Sequence, residues 1–219
     1  DFKRSFKKRF NIKTKCIYNP FDKNFVNKNL KNKIIKNIFF KKNYLNIVSV
    51  GRLTDQKDHL TLLRAINSLS NNFKIRLAII GKGNMKDNLQ EYINKKKLQN
   101  KVRLIGYLKN PFPYILRSNI LILTSKFEGL PNILLEGQYL KKYIISTDCP
   151  TGPKEILLNG KAGDLIKIGD YKKLAFLINN SHKRKKIIAN KIKMGVKNFY
   201  RFDYSLNCKK YLEFVNKNI

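Results

Sequence analysis

Two carboxylates, Glu128 and Glu136, lie seven residues apart in the stretch Phe127-Glu128-Gly129-Leu130-Pro131-Asn132-Ile133-Leu134-Leu135-Glu136. A pair of acids supports two kinds of chemistry. One is glycoside hydrolysis, with a general acid beside a nucleophile or base. The other is recognition, in which each carboxylate accepts hydrogen bonds from neutral hydroxyls. Cations upstream decide between them. Gly51-Arg52-Leu53-Thr54-Asp55-Gln56-Lys57 follows an apolar run, and Arg52 offers a planar fork of donors suited to phosphate oxygens, with Lys57 adding a point charge. Hydrolysis gives Arg52 and Lys57 no task, whereas a sugar linked to phosphate uses both the acids and the cations. His59 and His182 show no partner pattern for metal or triad chemistry, and His182 reads as a helix-surface residue.

Placing these residues requires alternating strands and helices. Leu45–Val50, Lys74–Ile80, Val102–Ile105, Ile120–Leu123 and Tyr143–Ser146 read as buried strands, with a sixth near Asp164–Ile168. Helical periodicity runs from about Asp58, with Leu60, Leu63, Ala65, Ile66 and Leu69 as its stripe. It recurs at Met85–Leu98, Tyr114–Arg117, Tyr171–Asn180, His182–Lys197 and Tyr204–Val215. Pro131 suits the first turn of a helix, because its missing N–H would be unpaired there. Asn132 and Glu136 then share a face, and the free N–H groups at the helix mouth attract anions. Cys16–Phe21 reads as a short strand ended by an Asn-Pro turn, and Thr147–Glu155 as a dense turn. The pattern predicts an α/β fold with a doubly wound parallel sheet. In such sheets ligands bind beyond the carboxyl ends of the strands, where Gly51, Arg52, Gly81, Gly83, Gly106 and Glu128 fall.

The chain has 219 residues and a formal charge of +33, and its 42% apolar content is that of a globular protein. Lys, Asn and Ile are over-used throughout, so the charge reads mainly as compositional drift with generic attraction to anionic surfaces. Cys16, Cys149 and Cys208 form no zinc spacing and no disulfide framework, which points to a reducing compartment. No apolar run approaches the ~18 residues of a membrane span. The start at Asp1 without methionine fits a fragment or a processed or excised chain. Neither a P-loop nor a full dinucleotide fingerprint is present around Gly81-Lys82-Gly83.

The ordered set Val50-Gly51-Arg52-Leu53 with Gln56-Lys57-Asp58, Ile79-Ile80-Gly81-Lys82-Gly83, Glu128 to Glu136, and Asp148-Cys149-Pro150 with Gly152–Leu157 resembles the carboxyl-terminal donor-binding domain of retaining GT-B glycosyltransferases. These are the large family-four group, which includes lipopolysaccharide and capsule enzymes. The resemblance covers roughly residues 16–215. It implies a Rossmann-like second half of a GT-B fold, with residues 1–44 as an interdomain connection, 45–197 as the nucleotide-sugar domain and 198–219 as a crossover helix. It implies that Arg52 and Lys57 bind the donor diphosphate and that Glu128 contacts sugar hydroxyls, these three being the catalytic set. Glu136 would hold the ribose. Backbone at Gly129, Leu130, Pro131 and Asn132 would meet the phosphates, the glycines Gly51, Gly81 and Gly83 would let backbone approach the donor, and Gly106, Tyr107 and Leu108 would lie against the base. No metal or other cofactor is expected.

The activity implied is transfer of a sugar, with retention, from a UDP-sugar to a glycan or lipid-linked acceptor in polysaccharide or lipopolysaccharide assembly. The expected site is the cytoplasm, at the inner face of its membrane where anionic lipid offers peripheral contact. An amino-terminal acceptor domain is missing from this chain, so the isolated chain is expected to turn over little or nothing. A non-catalytic α/β domain binding nucleic acid or an anionic membrane is the alternative. The absence of an aromatic–basic stacking motif speaks against specific nucleic-acid recognition.

Overall fold

A computed structural model of the protein describes residues 7–11, 14–31 and 38–217. Six strands, β1 Leu45–Val50, β2 Ile75–Ile80, β3 Val102–Gly106, β4 Ile120–Leu123, β5 Tyr143–Thr147 and β6 Asp164–Ile166, form one sheet in the order β3-β2-β1-β4-β5-β6. Every pairing is parallel. The chain winds outward from β1 through β2 to β3, then crosses back to lay β4 on the other side of β1. This reversal between β1 and β4 opens a crevice at their carboxyl ends.

Alternation along the strands divides the core between the two faces of the sheet. Ile120 and Ile122 of β4 pack with α2 His59–Asn67, α3 Lys86–Lys95 and α7 Tyr171–Asn179 through Leu62, Ile66, Ile93 and Leu174. Leu121 and Leu123 pack on the opposite face with α4 Phe112–Arg117 and α5 Asn132–Tyr139 through Ile115, Leu134 and Leu135. All four β4 positions and all five of β5 are buried, which is why these strands are continuously apolar or small. The apolar stripe of α2 includes Leu62, fully buried, while Leu60 is only partly covered.

Several elements differ from the sequence reading. Lys23–Lys31 is a helix, α1, although its lysine and asparagine content reads as a connection. One buried anchor, Val26, and a cap from Asp22 to the N–H of Phe25 at 2.9 Å hold it. Residues 16–20 form no strand, because no sheet strand offers them an edge. Phe21 instead donates its N–H to the Phe202 carbonyl at 2.8 Å and packs its ring edge-on to Phe199. Pro153–Ile156, which reads as a turn, is a short helix, α6. His182 lies exposed in a turn, three residues before α8 Lys185–Lys197 begins, because Lys183 and Arg184 donate back to Asn180 and Ser181. The last helix, α9, spans Tyr204–Asn216.

Candidate functional site

The loops after β1, β2, β4 and β5 meet at the carboxyl edge of the sheet. Gly51 donates to the Ile80 carbonyl at 2.9 Å, Leu53 to that of Lys82 at 3.0 Å, and Gly81 to that of Gly106 at 2.9 Å. A methyl group on Gly81 would sit 1.8 Å from the Gly51 carbonyl oxygen, and one on Gly83 would sit 2.2 Å from that of Leu53. The loops are therefore packed backbone to backbone, which explains Gly81 and Gly83 without a ligand, whereas a methyl on Gly51 would meet only the Lys57 side chain at 3.5 Å. On the other side, a methyl on Gly152 would lie 2.0 Å from the Gly129 carbonyl oxygen, and Gly152 has φ +78.

Lys57 ends a 3-10 turn over Asp55–Lys57, and its ammonium forms an ion pair with Glu128 Oε1. The pair is largely buried, with side chains 14% and 8% exposed. Ser125 Oγ donates to the same Oε1 at 2.6 Å, and Thr147 Oγ1 in turn donates to the Ser125 carbonyl at 2.6 Å. One carboxylate oxygen is thus saturated by the protein, while Oε2 has no partner among the described residues and is open to the cleft side. Gln56 ties the two loops by donating to the Phe127 carbonyl at 2.9 Å and accepting from Arg52 at 3.3 Å. Arg52 itself is exposed and joined to this cluster through Gln56.

Helix α5 begins at Asn132, one residue later than expected. Pro131 stands outside it with φ −70 and ψ 104, an extended conformation that keeps its ring against Gly152. No side chain caps this helix and no acid occupies its first turn. The N–H groups of Gly129, Leu130, Asn132 and Ile133 consequently lack partners among the described residues. Glu136, one turn into α5, is half-buried with no hydrogen-bond partner among the described residues, and burial pushes its carboxyl up to about 7. Tyr107, after β3, is 66% exposed, with the Lys82 ammonium 5.5 Å from its ring centre. Gly106 has φ +84 at the end of β3, and Leu108 is partly buried beneath the loop.

Ser125, Thr124, Gln56 and Thr151 take part in the site and were not singled out by the sequence reading. Thr124 Oγ1 donates to the Lys57 carbonyl at 3.0 Å, and Thr151 Oγ1 donates to the Glu128 carbonyl. The available signal was two small hydroxyl residues directly after an apolar strand. His59 is a floor residue, with Nδ1 3.4 Å from Ser49 Oγ, Nε2 unpartnered, and burial pushing the ring down to about 4. Among the described residues no group of three His, Cys, Asp or Glu is arranged to hold a metal, and no helix is long and apolar enough to cross a membrane.

The model of glycosyl transferases group 1 matches residues 31–194. The chain belongs to this family. A Campylobacter jejuni protein named N-acetylgalactosamine-N,N'-diacetylbacillosaminyl-diphospho-undecaprenol 4-alpha-N-acetylgalactosaminyltransferase is 31% identical over 170 residues, which cover 76% of this chain and 46% of that protein. An uncharacterised glycosyltransferase of Methanocaldococcus jannaschii is 43% identical over 125 residues, 53% of this chain and 31% of that protein. Chains of solved structure share the fold. Anabaena HepE in complex with UDP superposes with TM-score 0.80 at 19% identity, covering 93% of this chain and 57% of that one. A Rickettsia africae glycosyltransferase gives TM-score 0.81 at 20% identity, covering 99% and 61%. The chain therefore spans less than half the length of these curated relatives. Its six-stranded parallel sheet is the Rossmann-like architecture of these glycosyltransferases.

Proposed function

We propose that this chain is the donor-binding half of a retaining glycosyltransferase, taking the sugar of a UDP-sugar to a glycan or lipid-linked acceptor. The observation that carries the reading is the convergence of Arg52, the Lys57–Glu128 pair and the uncapped start of α5 at the β1/β4 switch point. Arg52, Lys57 and the free N–H groups from Gly129 to Ile133 would hold the diphosphate. They would stabilise the charge that grows on it as the bond from the sugar C1 to the phosphate oxygen breaks. No metal is assigned to the reaction. The acceptor oxygen forms its bond to C1 on the same face, and its proton leaves with the departing diphosphate. Glu128 Oε2, unused by the protein, would accept from a sugar hydroxyl, and Glu136 from the ribose. Gly106 to Leu108, with Tyr107 standing clear of the surface, would lie against the base.

HepE is crystallised with UDP, and the Campylobacter relative's name carries a diphospho-undecaprenol acceptor, which supports the donor and acceptor classes. A lipid-linked acceptor would bring the enzyme to the inner face of the cytoplasmic membrane. Calorimetric titration with UDP tests the site. Arg52→Ala and Lys57→Ala each remove a charge-assisted contact worth about 1.5–3 kcal/mol, so each should weaken binding roughly ten- to hundredfold. Binding of UDP by both variants as by the natural chain would overturn the assignment.

A further inference from the structure

A second hollow lies at the opposite, amino edge of the sheet, away from the loops of the donor site. It is a groove of about 400 Å³ between the starts of β1, β4 and β5 and the first half of α8. Leu45, Ile120, Ile188 and Ile192 form its walls. Its rim is of different chemistry. Ser181, only 8% exposed, lines the groove beside Lys185, and its hydroxyl makes no hydrogen bond among the described residues. At this point α8, 13 residues long, starts with no side-chain cap and no acid in its first turn. Lys183, Lys185 and Lys186 surround that start, and none makes an ion pair among the described residues. Arg184 is committed elsewhere, bonded to Asp164 and to the Tyr143 hydroxyl, which pins the helix start in place.

Lysines gathered at the positive end of a helix repel one another and the dipole, so the arrangement is unfavourable until an anion occupies it. The Ser181 hydroxyl, reachable from the groove on an otherwise buried residue, supplies a further donor there. The apolar walls ask for something else, a hydrocarbon chain. At roughly 30 Å³ for each water-sized group, the groove has room for about a dozen such groups.

We propose that this groove binds an anionic amphiphile, its phosphate head on Ser181, Lys185 and the open N–H groups of α8, and one apolar chain along Leu45, Ile120, Ile188 and Ile192. The site is independent of donor binding, because it uses none of the donor residues.

Titration of the full chain with monomeric dodecyl phosphate tests it. Saturable binding to one site is expected, at least tenfold tighter than binding of inorganic phosphate. Ser181→Ala should weaken it roughly three- to tenfold, the worth of one hydrogen bond, and Lys185→Gln by a similar factor. Ala189→Phe places a ring from the exposed rim into the groove and should abolish the saturable phase. Lys95→Gln, an equal change of charge on the exposed face of α3, should leave binding unchanged. Vesicles of phosphatidylglycerol distinguish the source. If Ala189→Phe also reduces vesicle binding, the ligand is a bilayer lipid; if only dodecyl phosphate binding falls, it is a free amphiphile. Equal losses in Lys95→Gln and Lys185→Gln, equal affinity for inorganic phosphate, or full binding by Ala189→Phe would each overturn the proposal.

Discussion

Lys57 and Glu128 come from loops 71 residues apart and meet in a largely buried pair, where the cost of separating them is large. Removing one partner of such a pair strands the other charge, at a cost of about 3 kcal/mol or more. Lys57→Met should therefore lower the urea midpoint clearly, while the double variant Lys57→Met/Glu128→Gln recovers much of the loss; a double variant as unstable as the single one would contradict this. Glu136 differs in having no counter-ion or donor among the described residues, and burial lifts its carboxyl to about 7. A carboxyl raised in the folded state contributes stability that is full below its unfolded value, near 4.5, and is lost as pH rises through 7. Ribose recognition, the role of Glu136 in the proposed function, has the opposite sign, since a hydroxyl donates better to the ionised form. UDP affinity should accordingly rise between pH 6 and 8, and Glu136→Gln should flatten that profile while becoming the more stable protein at pH 8. A flat profile in the natural chain would remove Glu136 from the ribose. Both acids were legible from type and spacing alone. Their unlike environments were not, because Lys57 reaches Glu128 only where the loop after β1 meets the loop after β4.

At the scale of elements, the strands were legible because β1, β2, β4 and β5 are buried on both faces, and continuous apolar runs admit few other readings. Helix α1 escaped because its nine residues are rich in lysine and asparagine and bury a single anchor, Val26, so their composition reads as a connection. Its position depends on tertiary partners, among them Asn110, which donates to the Asn29 carbonyl at 2.7 Å. The glycines sort into two kinds that sequence does not separate. Gly106 has φ +84 and open space where a side chain would go, so Gly106→Ala should cost only the left-handed backbone penalty of about 1–2 kcal/mol. Gly152 combines φ +78 with a carbonyl oxygen 2.0 Å from the added carbon. Gly152→Ala must push Gly129 and the start of α5 apart, and UDP binding should fall far more than in Gly106→Ala. Equal UDP affinities for the two variants would show that the Gly129–Gly152 contact does not shape the site.

Across the whole molecule, the donor loops occupy one edge of the sheet, and two pieces distant in sequence close the face behind α5. Tyr18 and Phe21 pack with Phe199, Phe202 and Tyr139, so the segment before β1 and the segment before α9 share one aromatic cluster. Beyond that cluster α9 exposes Tyr204, Tyr211 and Leu212, each more than half accessible. The groups gathered on that edge among the described residues serve, in the proposed function, phosphate, hydroxyl and base of the donor. On the proposed function, the acceptor and the residues that align it belong to the part of the relatives that this chain does not span. Holding the two reactants in register contributes many orders of magnitude to a transfer rate, and that contribution disappears when only one of them is bound. The 219-residue chain should therefore bind UDP yet move radiolabelled sugar no faster than slow hydrolysis to water. Robust transfer to a glycan by this chain alone would mean that the acceptor site is built on these residues, and the exposed face of α9 would then be the first place to seek it.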